Sequence, residues 1–176
     1  LFVRALAKDW KVRLKKRRHF SKTCVIERDK GRVLLAIPQT YMNRSGLAVR
    51  SIVEGGVKPD RLVVVYDDLD IPLGEIKIRK EGGPGSHRGV SSIIDEIQTE
   101  KFPRIRIGIG PLNPEEDAVD FVLSPFRQEE KPQLEQSLKL AREALDLILS
   151  GEIERAMTMY NRRREQTPGS VEADLG

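Results

Sequence analysis

Three carboxylates follow a short apolar segment in the middle of the chain. Asp67, Asp68 and Asp70 come directly after residues 61–66, whose continuous β-branched composition predicts a strand buried on both faces of an α/β sheet. One such acid could orient and charge-stabilise a histidine base, and a pair could bind magnesium. Turn chemistry is the alternative, because aspartate is common in turns and Pro72 and Gly74 follow at once.

A glycine-rich segment with one histidine lies at residues 82–89. It reads G-G-P-G-S-H-R-G and leads into a predicted helix over 90–97. The backbone N–H groups of such a loop can approach a phosphate closely at a helix N-terminus. The segment lacks the G-K-[ST] of a Walker A loop and the usual first-strand setting of a dinucleotide-binding G-x-G-x-x-G. A plain flexible loop therefore explains it equally well.

A third cluster combines arginines and glycines on a predicted strand over 104–110. Strand periodicity places three isoleucines on one face and two arginines with two glycines on the other. Arginines beside glycines leave room for a bulky anionic ligand, and two more bases lie on a predicted strand over 75–80 that could pair nearby. Surface arginines on an edge strand are the alternative. The residues of this predicted basic face are Arg104, Arg106, Gly108, Gly110, Lys77 and Arg79.

The elements that would position these clusters alternate between strands and helices. The apolar pattern predicts helices over 1–8, 43–53, 90–97, 127–149 and 153–162, and strands over 23–27, 32–37, 61–66, 75–80 and 104–110. This order predicts an α/β fold, a single three-layer domain over 1–163 with a mixed central sheet flanked by helices. Residues 164–176 have little to bury, and we expect a disordered tail.

Composition favours a reduced, intracellular globular protein with a polyanionic partner. The chain has 176 residues, and 31 bases against 27 acids leave a net charge of +4. Six of the bases fall within residues 11–18, where a solvated loop and a nucleic-acid contact are equally good explanations. The single cysteine, Cys24, excludes an internal disulfide, and with only His19 and His87 beside it no zinc site is expected. A transmembrane span is excluded as well.

Four motifs occur in a fixed order along the chain. They are P-Q-T-Y-M-N-R-S-G at 38–46, Y-D-D-L-D-I-P-L-G at 66–74, G-G-P-G-S-H-R-G at 82–89 and F-P-R-I-R-I-G-I-G at 102–110. Together with D-A-V-D-F-V-L-S-P-F at 117–126, they resemble the bacterial-type peptidyl-tRNA hydrolases. The resemblance implies a cytoplasmic, monomeric enzyme that hydrolyses the ester between peptide and tRNA. Its partner would be peptidyl-tRNA, bound at the acceptor stem and 3′ end, with no cofactor, metal, membrane or obligate protein partner.

The resemblance also implies roles for individual side chains. Asn43 corresponds to the family's substrate-binding asparagine and Tyr41 to the aromatic residue that helps line the site for the 3′ end. Asp67 corresponds to the acid that holds the catalytic histidine in its basic form. A helix N-cap is the ordinary alternative for Asn43. The other substrate or tRNA contacts that the resemblance implies are Arg79, Arg106, His87 and Arg88.

Two departures from the family pattern bear on activity. The family's opening strand, ending in G-L-G-N-P-G, and its T-R-H-N segment with the catalytic histidine are absent, and residues 1–3 match the helix just after them. Arg88 stands where G-G-H-N-G has its asparagine, and it cannot accept a hydrogen bond as that amide does. We therefore expect residues 1–176 alone to be inactive. A non-catalytic RNA-binding relative and a magnesium-dependent phosphotransferase are the alternative functions.

Overall fold

The computed structural model describes residues 1–112, 115 and 117–161. Its helices are α1 (Phe2–Asp9), α2 (Ser45–Glu54), α3 (Arg88–Ile97), α4 (Ala118–Leu123), α5 (Lys131–Leu149) and α6 (Ile153–Tyr160). Its strands are β1 (Lys16–Arg18), β2 (Ser21–Arg28), β3 (Gly31–Pro38), β4 (Val64–Pro72), β5 (Ile76–Arg79) and β6 (Arg104–Gly110). Short 3₁₀ turns cover Met42–Arg44, Pro59–Arg61 and Gln128–Glu130.

The described strands form two three-stranded sheets. The first has the order β1-β2-β3 and is antiparallel throughout. The second has the order β4-β6-β5, in which β4 runs parallel to β6 and β5 runs antiparallel to it. The predicted α/β class with a mixed sheet flanked by helices is confirmed. The predicted hairpin strands belong to the separate antiparallel sheet.

Apolar residues cover both faces of the mixed sheet. On one face Ile105 and Ile107 pack with α1, α5 and α6. On the other face Val90 and Ile93 of α3 pack with Val49 of α2 and the sheet. The three isoleucines of β6 are at most 9% exposed, as predicted, but Arg104, Gly108 and Gly110 on its other face are buried too. Burial of each such isoleucine side chain contributes about 1.5–3 kcal/mol to the stability of the fold. The sheet can therefore hold polar groups at its end in fixed positions.

Some boundaries differ from the sequence prediction. The strand expected over 61–66 begins at Val64 and continues to Pro72, because Pro59 starts a 3₁₀ turn and the later residues pair with β6. Asp67 and Asp68 therefore lie inside a strand, and the turn alternative for them is wrong. β1 and α4 were not predicted, and α5 begins at Lys131 rather than at 127. The predicted tail 164–176 and the end of the last predicted helix lie outside the described residues.

None of the helices within the described residues has the length and apolarity that crossing a bilayer requires.

Candidate functional site

Close packing of α2 on α3 positions the Met42–Arg44 turn. The Gly46 N–H donates to Ser92 Oγ at 3.0 Å, and a Cβ on Gly46 would overlap the Ser92 carbonyl oxygen. A Cβ on Gly89 would lie 2.7 Å from Met42 Sδ. Glycine is needed for the first of these approaches, since the obstacle is backbone. As a result, the turn that contains Asn43 lies against the first turn of α3.

Tyr41 and Asn43 are presented to solvent by this turn. Tyr41 is 80% exposed, and Asn43 is also exposed. The N-cap residue of α2 is Arg44, and no side-chain capping bond is present there. The N-cap alternative for Asn43 is therefore wrong, and its amide group is open to a ligand.

His87 is the N-cap of α3. Its Nδ1 accepts a hydrogen bond from the Val90 N–H at 3.1 Å, so the neutral ring carries its proton on Nε2. The ring packs against that of Tyr66, with centroids 4.7 Å apart. Burial lowers the pKa of His87, and the charges of Asp67 and Asp68 oppose this shift. His87 is thus a neutral group that can donate a hydrogen bond from Nε2.

An ion pair joins β4 to β6 on the face of the sheet that carries Tyr66. Arg106 Nε donates to Asp68 Oδ2 at 2.6 Å, and the side chains are 25% and 9% exposed. Asp68 Oδ1 accepts the Asp70 N–H at 3.0 Å. Partial burial lowers the pKa of Arg106, but the hydrogen bond and the charge of Asp68 outweigh this effect and raise it. The pair fixes the guanidinium through Nε, and within residues 1–112, 115 and 117–161 no other acceptor is bound to its four terminal N–H groups.

Asp67 lies on the opposite face of β4. It is in register with Ile107, and its neighbours Tyr66 and Asp68 are in register with Arg106 and Gly108.

The magnesium alternative for the paired acids is not supported. Asp67 and Asp68 point to different faces, and Asp68 is already bound to Arg106. Within residues 1–112, 115 and 117–161, no group of three or more histidine, cysteine or acidic side chains is placed to hold a metal ion.

Further bases lie beside Arg106. Lys77 of β5 is directly opposite Arg106, and Arg79 is opposite Arg104. Arg79 is exposed, and its diagonal position places it about 7–8 Å from Arg106. Arg88 is exposed at the first residue of α3. The predicted pairing of the two basic strands is confirmed.

The sequence predicted that Arg104 lies on an exposed basic face, and this prediction is wrong. It is 1% exposed, and it donates to the carbonyl oxygens of Gly83 at 2.9 Å and Glu100 at 3.1 Å. Its guanidinium also lies 4.3 Å from the centroid of the Phe102 ring. Arg104 therefore anchors the beginning of the glycine-rich loop.

Gly108 and Gly110 leave no recess for an anion. A Cβ on either residue would overlap carbonyl oxygens of β4, those of Pro72 and Leu69 respectively. The two glycines accommodate the irregular register between the strands, which shifts after Asp68. The prediction that these glycines leave room for a bulky anionic ligand is wrong.

Comparison with known proteins shows the family of the chain. The sequence matches the family model for peptidyl-tRNA hydrolase over residues 1–168. The chain belongs to the peptidyl-tRNA hydrolase family. It is 44% identical to a peptidyl-tRNA hydrolase of Persephonella marina over 132 residues, 74% of this chain and 70% of that protein. It is 50% identical to that of Carboxydothermus hydrogenoformans over 133 residues, again 74% and 70%.

A solved structure extends the agreement to the fold. The crystal structure of peptidyl-tRNA hydrolase from Acinetobacter baumannii superposes with a TM-score of 0.82 at 29% identity, covering 90% of this chain and 83% of that one. The expected family, fold class and enzyme class, a carboxylic ester hydrolase, are confirmed.

Among the residues that the peptidyl-tRNA hydrolase motifs singled out, the structure brings the turn with Tyr41 and Asn43 against the helix that His87 caps. Asp67 lies on the other face of β4. Neither a role for Tyr66 nor the pairing of Asp68 with Arg106 was predicted from the sequence. Alternation along β4 could have found both, because residues 66 and 68 share one face of the strand.

Proposed function

We propose that this chain hydrolyses the ester bond between peptide and tRNA in peptidyl-tRNA and releases free tRNA. The observation that carries the proposal is the packing of the Asn43 turn against the His87-capped end of α3, beside Asp68 and Arg106. It supports a site with uncharged hydrogen-bond donors for the ester and a fixed cation for the RNA, built at the end of one parallel strand pair.

The chemical step in this proposal is attack of water on the ester carbonyl. Asn43 supplies amide donors that steady the carbonyl or the developing oxyanion. Asp67 orients the histidine that acts as general base and stabilises its charge when it takes the proton from water. The histidine belongs to the T-R-H-N segment of the family pattern.

His87 is a poor candidate for the base itself. Its Nδ1 lone pair already accepts the Val90 N–H, and its Nε2 carries the proton. Taking up another proton would break the cap of α3, and burial disfavours the charged ring by lowering its pKa. We assign it a supporting hydrogen bond from Nε2 to the substrate.

The tRNA is held through phosphate. Arg106 binds Asp68 through Nε, and in the described part of the chain its four terminal N–H groups have no other acceptor. Arg79 lies diagonally beside it, so a phosphate between them could receive donors from both. The partner is therefore the acceptor stem and 3′ end of peptidyl-tRNA, in the cytoplasm where translation occurs. The proposed chemistry uses neither metal nor cofactor, and the proposed unit is a monomer.

The test compares variants of the natural full-length chain. Asn43→Ala should lower kcat by about 10²–10³, the usual cost of one oxyanion donor, and should leave the salt dependence of tRNA binding unchanged. Arg106→Ala should weaken binding of all tRNAs alike, and the slope of log affinity against log salt should fall by about one.

Asp68→Asn is the matched control for Arg106→Ala, since it breaks the same ion pair but keeps the cation. It should retain the salt slope. If Arg106→Ala left the salt slope unchanged while Asn43→Ala lowered it, the assignment of Arg106 to phosphate binding and of Asn43 to catalysis would have to be exchanged or abandoned.

An RNA-binding relative without hydrolase activity is the second candidate, and Arg88 is the observation that favours it. This exposed cation occupies the first residue of α3, where the family pattern has an asparagine. A full-length chain that binds tRNA but does not hydrolyse N-blocked aminoacyl-tRNA would support this candidate.

A further inference from the structure

β1 is an edge strand that consists entirely of bases. Lys16, Arg17 and Arg18 are all exposed, and among the described strands β1 pairs with β2 alone. Arg17 is directly opposite Lys22 of β2. We call these four residues, Lys16, Arg17, Arg18 and Lys22, the basic edge.

The positive charge of the basic edge is not neutralised within the described part of the protein. No carboxylate of residues 1–112, 115 or 117–161 lies within 4.0 Å of any of its four side chains. Like charges directly opposite each other destabilise a strand pair, so the Arg17 and Lys22 pairing disfavours the fold. Edge strands often carry charge to prevent association, but that role is served by either sign. A cluster of one sign favours a polyanion.

An exposed aromatic ring stands next to these bases. His19 and Phe20 form the two-residue turn between β1 and β2 with φ values of 52° and 50°, a left-handed conformation that bulky residues rarely adopt. The turn is held by the Gln39 N–H, which donates to the Phe20 carbonyl at 2.8 Å, and by His19 Nδ1, 3.0 Å from Ser51 Oγ. Phe20 is 62% exposed as a result. An aromatic ring beside bases is the combination that stacks on unpaired nucleotides while cations hold the backbone.

The basic edge adjoins the segment that leads to the candidate site. Arg18 is in register with Ser21, and Ser21 is in register with Pro38 at the end of β3. Two strand spacings separate β1 from β3, about 10 Å in all. Pro38 begins the motif that continues to Tyr41 and Asn43. RNA that extends beyond a 3′ end bound at Asn43 could therefore reach the basic edge.

We propose that the basic edge and Phe20 form a second contact for the RNA of the substrate, outside the candidate site for the 3′ end. The bases bind phosphates, and Phe20 stacks on an unpaired nucleotide. This inference rests on the proposed function, because the occupant is the tRNA part of peptidyl-tRNA. It adds a surface on the antiparallel sheet to the arginines of the mixed sheet.

Charge reversal in the natural full-length chain tests the proposal. Arg17→Glu/Arg18→Glu keeps the edge charged and places an acid opposite Lys22, so the melting temperature should not fall. Its affinity for deacylated tRNA should fall about tenfold or more, and the salt slope should fall by about two. A short oligonucleotide ending in CCA should bind as tightly as it does to the unmodified protein, because it does not reach the basic edge.

Lys131→Glu/Lys139→Glu is the matched control. Both lysines are exposed on α5, which packs on the face of the mixed sheet opposite Arg106. This variant makes the same change in net charge and should bind tRNA almost unchanged. Phe20→Ala should weaken tRNA binding several-fold with the same salt slope, because stacking releases no counterions.

The outcomes separate this inference from the proposed function. If the unmodified full-length protein hydrolyses peptidyl-tRNA but the reversal at 17 and 18 leaves tRNA affinity unchanged, only the second contact is refuted. An equal loss in the α5 control, or an equal loss with the short oligonucleotide, would also refute it. Failure of the unmodified protein to hydrolyse peptidyl-tRNA would refute the proposed function instead.

Discussion

The coupling between Asp68 and Arg106 can be measured against a matched surface pair. Both ion pairs have a nitrogen to oxygen distance of 2.6 Å, but the Lys80 and Glu154 side chains are 61% and 70% exposed, whereas those of Arg106 and Asp68 are 25% and 9% exposed. The two pairs therefore share the nitrogen to oxygen distance and differ in burial. The perturbation is a double-mutant cycle with Asp68→Asn, Arg106→Gln and both together, and a second cycle for the surface pair.

The expected coupling at the site follows from the degree of burial. Breaking a fully buried ion pair costs about 3–5 kcal/mol, and an exposed pair contributes little. Asp68 is nearly buried but Arg106 retains solvent contact, so a charge-assisted hydrogen bond worth about 2 kcal/mol is the appropriate scale. For a chain of this length, that corresponds to a fall in Tm of about 4–8 °C for either single variant.

The assay is urea unfolding of all variants of the natural full-length chain, repeated at low and high salt. The coupling of Asp68 to Arg106 should persist at high salt, because salt screens partly buried charges weakly. The coupling of Lys80 to Glu154 should be close to the experimental error and should vanish at high salt. Equal coupling energies in the two cycles would refute the argument that burial makes the Asp68 pair a structural part of the site.

Two further predictions concern His87 and Gly46. Because burial lowers the pKa of His87 below its ordinary value of 6.5, the unfolded chain binds a proton more readily, and the free energy of unfolding should fall as pH drops below 6.5. His87→Asn keeps an acceptor for the Val90 N–H, and urea unfolding across pH should show a weaker dependence. Gly46→Ala should cost about 1–3 kcal/mol or more and lower turnover, whereas Gly83→Ala, where a Cβ meets nothing closer than 3.9 Å, should cost less in thermal unfolding.

Local pattern was sufficient to predict the elements whose periodicity is strong. The alternation of isoleucines fixed the bounds of β6, and the apolar stripe located α3 within two residues. The bounds of β4 were missed because its second half is rich in aspartate, which local statistics assign to turns, whereas pairing with β6 keeps it extended. The burial of Arg104 could not be predicted, because its partners are carbonyl oxygens 4 and 21 residues away in the chain.

The motifs were sufficient to predict the candidate site residues, but the separate roles proposed for them follow only from the register of the sheet. Asp67 and Asp68 are adjacent in sequence and look interchangeable, yet strand alternation sends them to opposite faces of β4. One face carries Asp67, the acid that the proposed mechanism assigns to the general base. The other face pairs Asp68 with Arg106, the cation that the proposal assigns to an RNA phosphate.

Replacement of each acid by asparagine should therefore change different properties of the protein. Asp67→Asn should lower kcat while stability and the salt slope of tRNA binding stay close to those of the unmodified full-length protein, because its charge acts on the base. Asp68→Asn should lower stability and leave the chemical step largely intact, because its charge acts on Arg106. Measurement of kcat, urea unfolding and tRNA affinity on both variants distinguishes these patterns. A loss of kcat at Asp68 as large as that at Asp67 would mean that both acids serve the chemistry and that the face of the strand does not separate their roles.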